Sequence, residues 1–198
     1  QFYKSKYRNL TVDANGRPAL ATEGNSVQEY PFWDNSKTSA DTYWRIRLMY
    51  TGPARRAGEG LLIVDPIDMG TKDRRAWSYL PGQRRVKLAP DLAYDTPNHG
   101  VAGMLTYDDS SWYNGALDRY DYKLVGKREM LVPYNNYKVV NYSGPKEPLT
   151  RPNHFEPDLV RWELHRTWVV EATLKPGKRH IYHKRTFYLD EDSWSVVA

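Results

Sequence analysis

Between Tyr43 and Tyr50 the even positions Trp44, Ile46, Leu48 and Tyr50 are large and apolar, while Arg45 and Arg47 alternate with them. A repeat of two sends successive side chains to opposite sides of a strand, so this stretch reads as a β-strand with one greasy and one basic face. The same grammar recurs along the chain, and no long segment carries apolar residues at helical spacing. Such a chain is restricted to a mostly antiparallel sheet whose strands meet at Gly- or Pro-bearing turns.

The stretch from Arg74 to Pro90 shows the pattern best. Two short runs of alternating apolar and basic residues flank Pro81-Gly82, which predicts one antiparallel hairpin. Asn15-Gly16 predicts another turn, and Gly24-Asn25-Ser26 and Pro31 to Asn35 read as loop. Leu61-Leu62-Ile63-Val64 is continuously apolar, as expected of a strand covered on both faces. Residues 91–121 lack a clear period, and one or two short helices are expected near 105–120, capped by Asp108, Asp109 or Ser110. Tyr122 to Val132 returns to strand with a bulge or bend at Gly126, and a further short run reaches Tyr142. The last hairpin places Trp162, Leu164, Trp168, Val170, Ala172 and Leu174 on one face, which only Arg166 breaks.

At 198 residues the chain fits a single domain, 1–198, with one core. The bulky residues are mostly Tyr (16) and Trp (7), with only 4 Phe, which suits strand surfaces and boundaries between apolar and wet regions. The formal charge of +5 gathers in doublets such as Arg55-Arg56, Arg74-Arg75 and Arg84-Arg85, read first as the solvated faces of strands and turns. Cysteine is absent, which excludes disulfides and thiolate chemistry. No apolar run is long enough for a membrane-spanning helix. The sequence opens without Met and ends in what looks like half a strand, so it is expected to be the later portion of a longer protein.

Catalytic signatures are missing. No nucleophile elbow, phosphate loop or dinucleotide motif is present, and no cofactor is called for. His180 and His183 fall on opposite faces of a strand, which argues against a shared metal. Asp95, Asp108, Asp109, Asp118 and Asp121 form the main acidic concentration, which turn and cap duties explain. Basic residues interleave with aromatics, yet they face away from the apolar side, so nucleic acid is not the expected partner.

Taken in order, the run from Arg75 to Val86 with Ala89-Pro90, then Ala93-Tyr94-Asp95, Asn114 to Asp121, Lys123 to Met130 and Pro133-Tyr134-Asn135 resembles a family of Gram-negative cell-envelope proteins. That family is described as similar to outer-membrane lipoprotein-sorting proteins, and the likeness extends over roughly residues 43–198. The resemblance implies a mainly β (α+β) fold like that of LolA and LolB: a curved antiparallel sheet forming an unclosed half-barrel with a few short helices. It also implies a periplasmic or outer-membrane-associated location and an envelope transporter as partner. It brings no catalytic residues.

The expected ligand lining, which an apolar half-barrel would turn inward, is Trp44, Ile46, Leu48, Leu62, Val64, Trp77, Tyr79, Val86, Leu124, Met130, Trp162, Leu164 and Trp168, with Arg166 at the rim. Two functions fit. One is a non-enzymatic periplasmic carrier or chaperone for a lipid, acyl chain, lipoprotein or other hydrophobic ligand. The alternative is a structural or docking component of an envelope transport complex.

Overall fold

The computed structural model describes residues 2–36, 40–110, 112–145, 149–152 and 154–198. The fold is mainly β, with antiparallel sheets that do not close and a few short helical turns among these residues. Its contacts gather into two compact units, Gln1–Thr11 with Leu20–Asp118, and Val12–Ala19 with Arg119–Ala198.

The first unit is built on a six-stranded sheet in the order β1 (Phe2–Val12), β2 (Pro18–Glu29), β3 (Thr42–Gly52), β4 (Gly60–Pro66), β5 (Arg75–Leu80) and β6 (Arg85–Leu88). Every connection is a hairpin between neighbours, as period-two runs separated by turns require. The β5–β6 hairpin turns through residues 81–83, and Arg84 rather than Gly82 takes the left-handed conformation.

Register assigns the faces. Ile46 opposes Ile63, and Leu48 opposes Leu61. Ile63 in turn opposes Ala76. These residues, with Tyr50, form a core cluster completed by Leu92 and Tyr107 from the irregular segment after β6. Leu62 pairs with Arg47 and Trp77, and Val64 with Arg45 and Arg75, so both point the other way. The expectation that β4 is covered on both faces is therefore corrected: Leu61 and Ile63 are buried, whereas Leu62 and Val64 are half-buried on an open face.

The segment covering the core has little secondary structure, so its backbone carbonyls need donors. Side chains of the sheet and of its β3–β4 and β4–β5 loops supply them. Thr22 Oγ1 and Asn9 Nδ2 donate to the Gly100 carbonyl at 2.5 and 3.0 Å. Arg56 donates to the His99 carbonyl at 2.8 Å. Arg74 donates to the Leu92 and Asn114 carbonyls at 3.3 and 2.8 Å. The same guanidinium grips Asp65 through two bonds of 2.6 and 2.9 Å, with side chains only 4% and 0% exposed. Trp44 Nε1 also donates to Asp65. Short 3-10 turns occur at Tyr107–Asp109 and Leu117–Arg119, where helices were expected. The N-cap of the first is Thr106, whose N–H and hydroxyl both donate to Asp109.

Gly24-Asn25-Ser26 lies inside β2 rather than in a loop. A Cβ at Gly24 would stand 2.2 Å from the Met49 carbonyl oxygen, so the glycine marks close approach of two strands and not a turn.

The second unit contains β7 (Tyr120–Pro133), a two-stranded piece of β8 (Thr150–Arg151) and β9 (His154–Phe155), β10 (Trp162–Leu174) and β11 (Lys184–Asp190). The larger sheet runs β11-β10-β7. Its register shifts between Val169 and Val170, where Gly126 has φ of 145°, so the expected bulge is present. The run expected after Pro133 is instead one helical turn, α1 (Tyr137–Val140). The terminal residues form a single bridge, Leu189 to Val196, in place of a full strand.

Removing one partner of the Asp65–Arg74 pair leaves a buried charge alone, which costs about 3–5 kcal/mol. Arg74→Ala and Asp65→Ala are each expected to lower stability by that order in urea denaturation. Loss of less than about 1 kcal/mol would place the pair at an ordinary surface value.

Candidate functional site

The residues expected to line one ligand cavity are divided by the registers. Trp44, Ile46 and Leu48 belong to the covered face of the six-stranded sheet, where Ile46 and Leu48 pack against the core. Leu62, Val64, Trp77, Tyr79 and Val86 share the opposite, open face. In the second unit Leu124, Trp162, Leu164, Arg166 and Trp168 share one face of the sheet, while Met130 opposes His165 on the other. A single lining made of all of them is not what the strands provide.

The open face of the first sheet is organised in rows. One row runs Val27, Arg47, Leu62, Trp77, Leu88 across β2 to β6. A second runs Asn25, Met49, Gly60, Tyr79, Val86, and a third contains Glu29, Arg45, Val64, Arg75. Val86 and Leu88 are 65% and 60% exposed, and none of the other apolar members is fully buried. On β1 the hydroxyl of Ser5 meets Ser26 at 2.6 Å and Asn9 meets Thr22 at 3.1 Å, all toward the covered side. Lys4, Lys6 and Arg8 therefore alternate onto the open side. Val27, Met49 and Leu88 were missing from the expected lining, because only the register shows that they share a row with Leu62, Trp77 or Tyr79.

In the second unit the burial of the first half of β10, Trp162 to Thr167, is inverted relative to its polarity. Thr167 is fully buried and its hydroxyl donates to the Arg128 carbonyl at 3.0 Å, and His165 Nδ1 lies 2.7 Å from Asp190 Oδ1. Yet Trp162 and Leu164, on the apolar side, are 54% and 67% exposed, as is Leu131 (60%) across from Leu164. Arg166 does lie on this face, but Glu191 holds it at 2.8 Å and also takes Lys127, whose ammonium sits 4.2 Å above the Trp168 ring. The Trp168 Nε1–H is buried without an acceptor among the described residues.

Other chemistry is less developed. His165, Asp190 and Asp192 form the grouping of metal-ligand type found among the described residues. The Asp190 oxygens are already occupied, Oδ1 by His165 and Oδ2 by the Ser193 hydroxyl and N–H at 2.7 and 3.0 Å, which makes the cluster a lock on the turn after β11. The Ser193 hydroxyl, and after it His165, hold the Asp190 carboxyl below its ordinary value against the opposing effect of burial. At the β4–β6 end of the first sheet a cavity of about 340 Å³ is lined by Tyr50, Arg56, Leu61, Lys87, Leu92, His99 and Tyr107, and also by Tyr79 and Leu88. Its Arg56 is committed to Glu59 at 2.9 Å and stacks 4.2 Å from the Tyr50 ring centre. Burial pushes the Tyr107 hydroxyl up to about 12 and raises that of Tyr50, so both stay neutral. His180 packs between the Tyr120 and Tyr182 rings rather than beside a second ligand.

The family described as "Protein of unknown function (DUF1329)" matches residues 1–198. The chain belongs to the DUF1329 family. A curated relative, "Uncharacterized protein PA3922" of Pseudomonas aeruginosa, is 46% identical over 163 residues, or 82% of this chain and 35% of its own length. This DUF1329 chain thus spans about a third of the relative it matches. Among solved structures, a candidate outer membrane lipoprotein-sorting protein domain from Vibrio parahaemolyticus is similar over 98% of this chain and 62% of its own, with a TM-score of 0.57 and 13% identity. A DUF1329 family protein from Desulfovibrio piger is similar over 99% of this chain and 63% of its own, with a TM-score of 0.56 and 16% identity. At such identities the likeness shows the fold, which agrees with the implied lipoprotein-sorting type.

Asp190 gives a pH test of the β10–β11 turn. Its carboxyl is depressed in the folded protein, so its contribution is fully present above the unfolded value, about 3.9, and is lost as pH falls through the lower folded value. Urea midpoints measured from pH 6 to pH 2 should therefore fall less steeply at the acid end in Asp190→Asn than in the parent protein. Parallel curves would remove Asp190 from the acid transition.

Proposed function

We propose that this chain is a non-enzymatic carrier or chaperone of the cell envelope, which shelters the apolar part of a lipid, lipoprotein or other hydrophobic ligand on the open faces of its sheets. The observation that carries the reading is the inverted burial. β7 and β10 present Leu131, Trp162 and Leu164 to solvent while Thr167 is buried, and in the other unit β6 presents Val86 and Leu88, so each sheet exposes apolar surface that a partner can cover. Covering a side chain such as Leu88 contributes roughly 1–2 kcal/mol, so a micromolar ligand, at about 8 kcal/mol net, must cover most of the apolar residues of a face and not one or two.

Similarity to a domain named for outer membrane lipoprotein sorting supports the envelope setting and the carrier character. No helix of the described residues is long and apolar enough to cross a membrane, so membrane contact through this chain would be peripheral or through strands. An envelope transporter is the partner this reading assigns. The second reading, a docking component of an envelope complex, draws on the exposed Arg55, Arg84 and Arg85.

Extraction of the purified protein followed by mass spectrometry should release a lipid or other hydrophobic compound. A Val86→Glu/Leu88→Glu variant alters exposed positions only, so its melting temperature should hold while affinity for a fluorescent acyl probe falls about tenfold or more. Unchanged probe affinity would move the function to docking, and an Arg84→Ala/Arg85→Ala variant that loses its partner would then identify the docking surface.

A further inference from the structure

We infer that the ligand of the open face on the six-stranded sheet is an anionic amphiphile, with its charged group read by Arg47, Lys4 and Lys6 and its acyl chain laid across β4 to β6. This rests on the carrier reading above and adds the chemical class of the cargo.

The face is divided down its length. On β4, β5 and β6 it carries Leu62, Val64, Trp77, Tyr79, Val86 and Leu88. On β1 and β3 it carries Lys4, Lys6, Arg8, Arg45 and Arg47, with Val27 of β2 and Met49 of β3 among them, and Arg75 stands at the end of the Val64 row. The carboxylates on the same face are already used: Glu23 pairs with Arg8 at 2.9 Å and Glu29 with Arg45 at 3.5 Å. Among the described residues Arg47, Lys4 and Lys6 have no acidic partner. Arg75 reaches over the Trp77 ring, 5.7 Å from its centre. Most of the chain's excess of +5 is thus concentrated on one side of one sheet.

An unneutralised cation beside apolar surface has an ordinary role as a solubilising group, and such groups normally ring a patch. Arg47 does not stand on the ring. It occupies the same cross-strand row as Leu62, Trp77 and Leu88, directly next to Leu62. Strands lie about 4.8 Å apart, so that row sets a cation between Val27 and Leu62, followed by roughly 10 Å of apolar surface from β4 to β6. A guanidinium in that place matches a phosphate or carboxylate through a fork of donors, and the two lysines add charge without directional demand. A neutral lipid would leave these cations uncompensated, whereas free phosphate would leave the apolar row uncovered.

The test uses probes kept below their micelle concentrations: dodecyl phosphate, dodecyl maltoside as a neutral molecule with the same chain, and inorganic phosphate, titrated into the purified protein by calorimetry. Dodecyl phosphate should bind about tenfold or more tightly than dodecyl maltoside, and the preference should shrink as salt rises. Arg47→Gln combined with Lys4→Gln and Lys6→Gln should remove the preference but not chain binding, while Arg55→Gln, off this face, should change nothing. Equal affinity for the two alkyl probes, or a preference that survives the triple variant, overturns the anionic assignment and leaves the carrier reading standing. Inorganic phosphate binding as tightly as dodecyl phosphate overturns it in favour of a simple anion site. Binding of neither alkyl probe defeats the carrier reading itself.

Discussion

The buried pair of Asp65 and Arg74 is what lets an irregular segment serve as the roof of a sheet. The segment after β6 pairs carbonyls such as those of Thr96, Asn98 and Leu105 within itself, but those of Leu92 and Asn114 take their donors from Arg74, and a buried unpaired carbonyl costs about as much as a lost hydrogen bond. Arg74 answers by donating to the Leu92 and Asn114 carbonyls while its charge is neutralised by Asp65. Only with those bonds made can Leu92 and Tyr107 rest on Leu61 and Ile63. The choice of which sheet face is covered, and therefore which is open, follows from where that pair is rooted.

This also separates what could be read in the sequence from what could not. The strands themselves were legible, since Trp44 to Tyr50, Arg75 to Leu88 and Trp162 to Leu174 alternate or turn as pleated chain must, and Gly126 announced its bulge. The faces were not. Leu61 to Val64 is apolar at every position, so its period carries no information on which members point to the core, and only pairing to Arg45 and Arg47 decides it. Gly24 to Ser26 was read as loop because Gly, Asn and Ser favour loops, whereas here Gly24 makes room for the Met49 carbonyl. For β10 the alternation was seen correctly and the burial of its first half was reversed, because Thr167 and His165 find partners in the Arg128 carbonyl and Asp190 that no local pattern encodes.

The candidate residues fared accordingly. Leu62, Val64, Trp77, Tyr79 and Val86 do share a face, although Trp44, Ile46 and Leu48 were grouped with them and lie behind the sheet. Hydrophobicity alone cannot distinguish the two sets, since both are large and apolar on neighbouring strands. What separates them is the company each keeps. Trp44 donates to the buried Asp65, but Trp77 has Arg75 above its ring.

An open apolar face carries a risk that the same charges limit. The sheet ends at β1 and β6, and free edges invite another strand. β6 spans only Arg85–Leu88, too short to template a long addition, and β1 bears Lys4, Lys6 and Arg8, whose repulsion opposes pairing with a second copy. Edge protection explains the lysines of β1 without any ligand. It does not explain Arg47, which lies on β3 between β2 and β4, far from either edge, and which is as exposed as the edge residues. A charge at the centre of a sheet, with Leu62 beside it and no carboxylate within the described residues to meet it, is the point at which solubility stops being a sufficient reason and recognition becomes the better one.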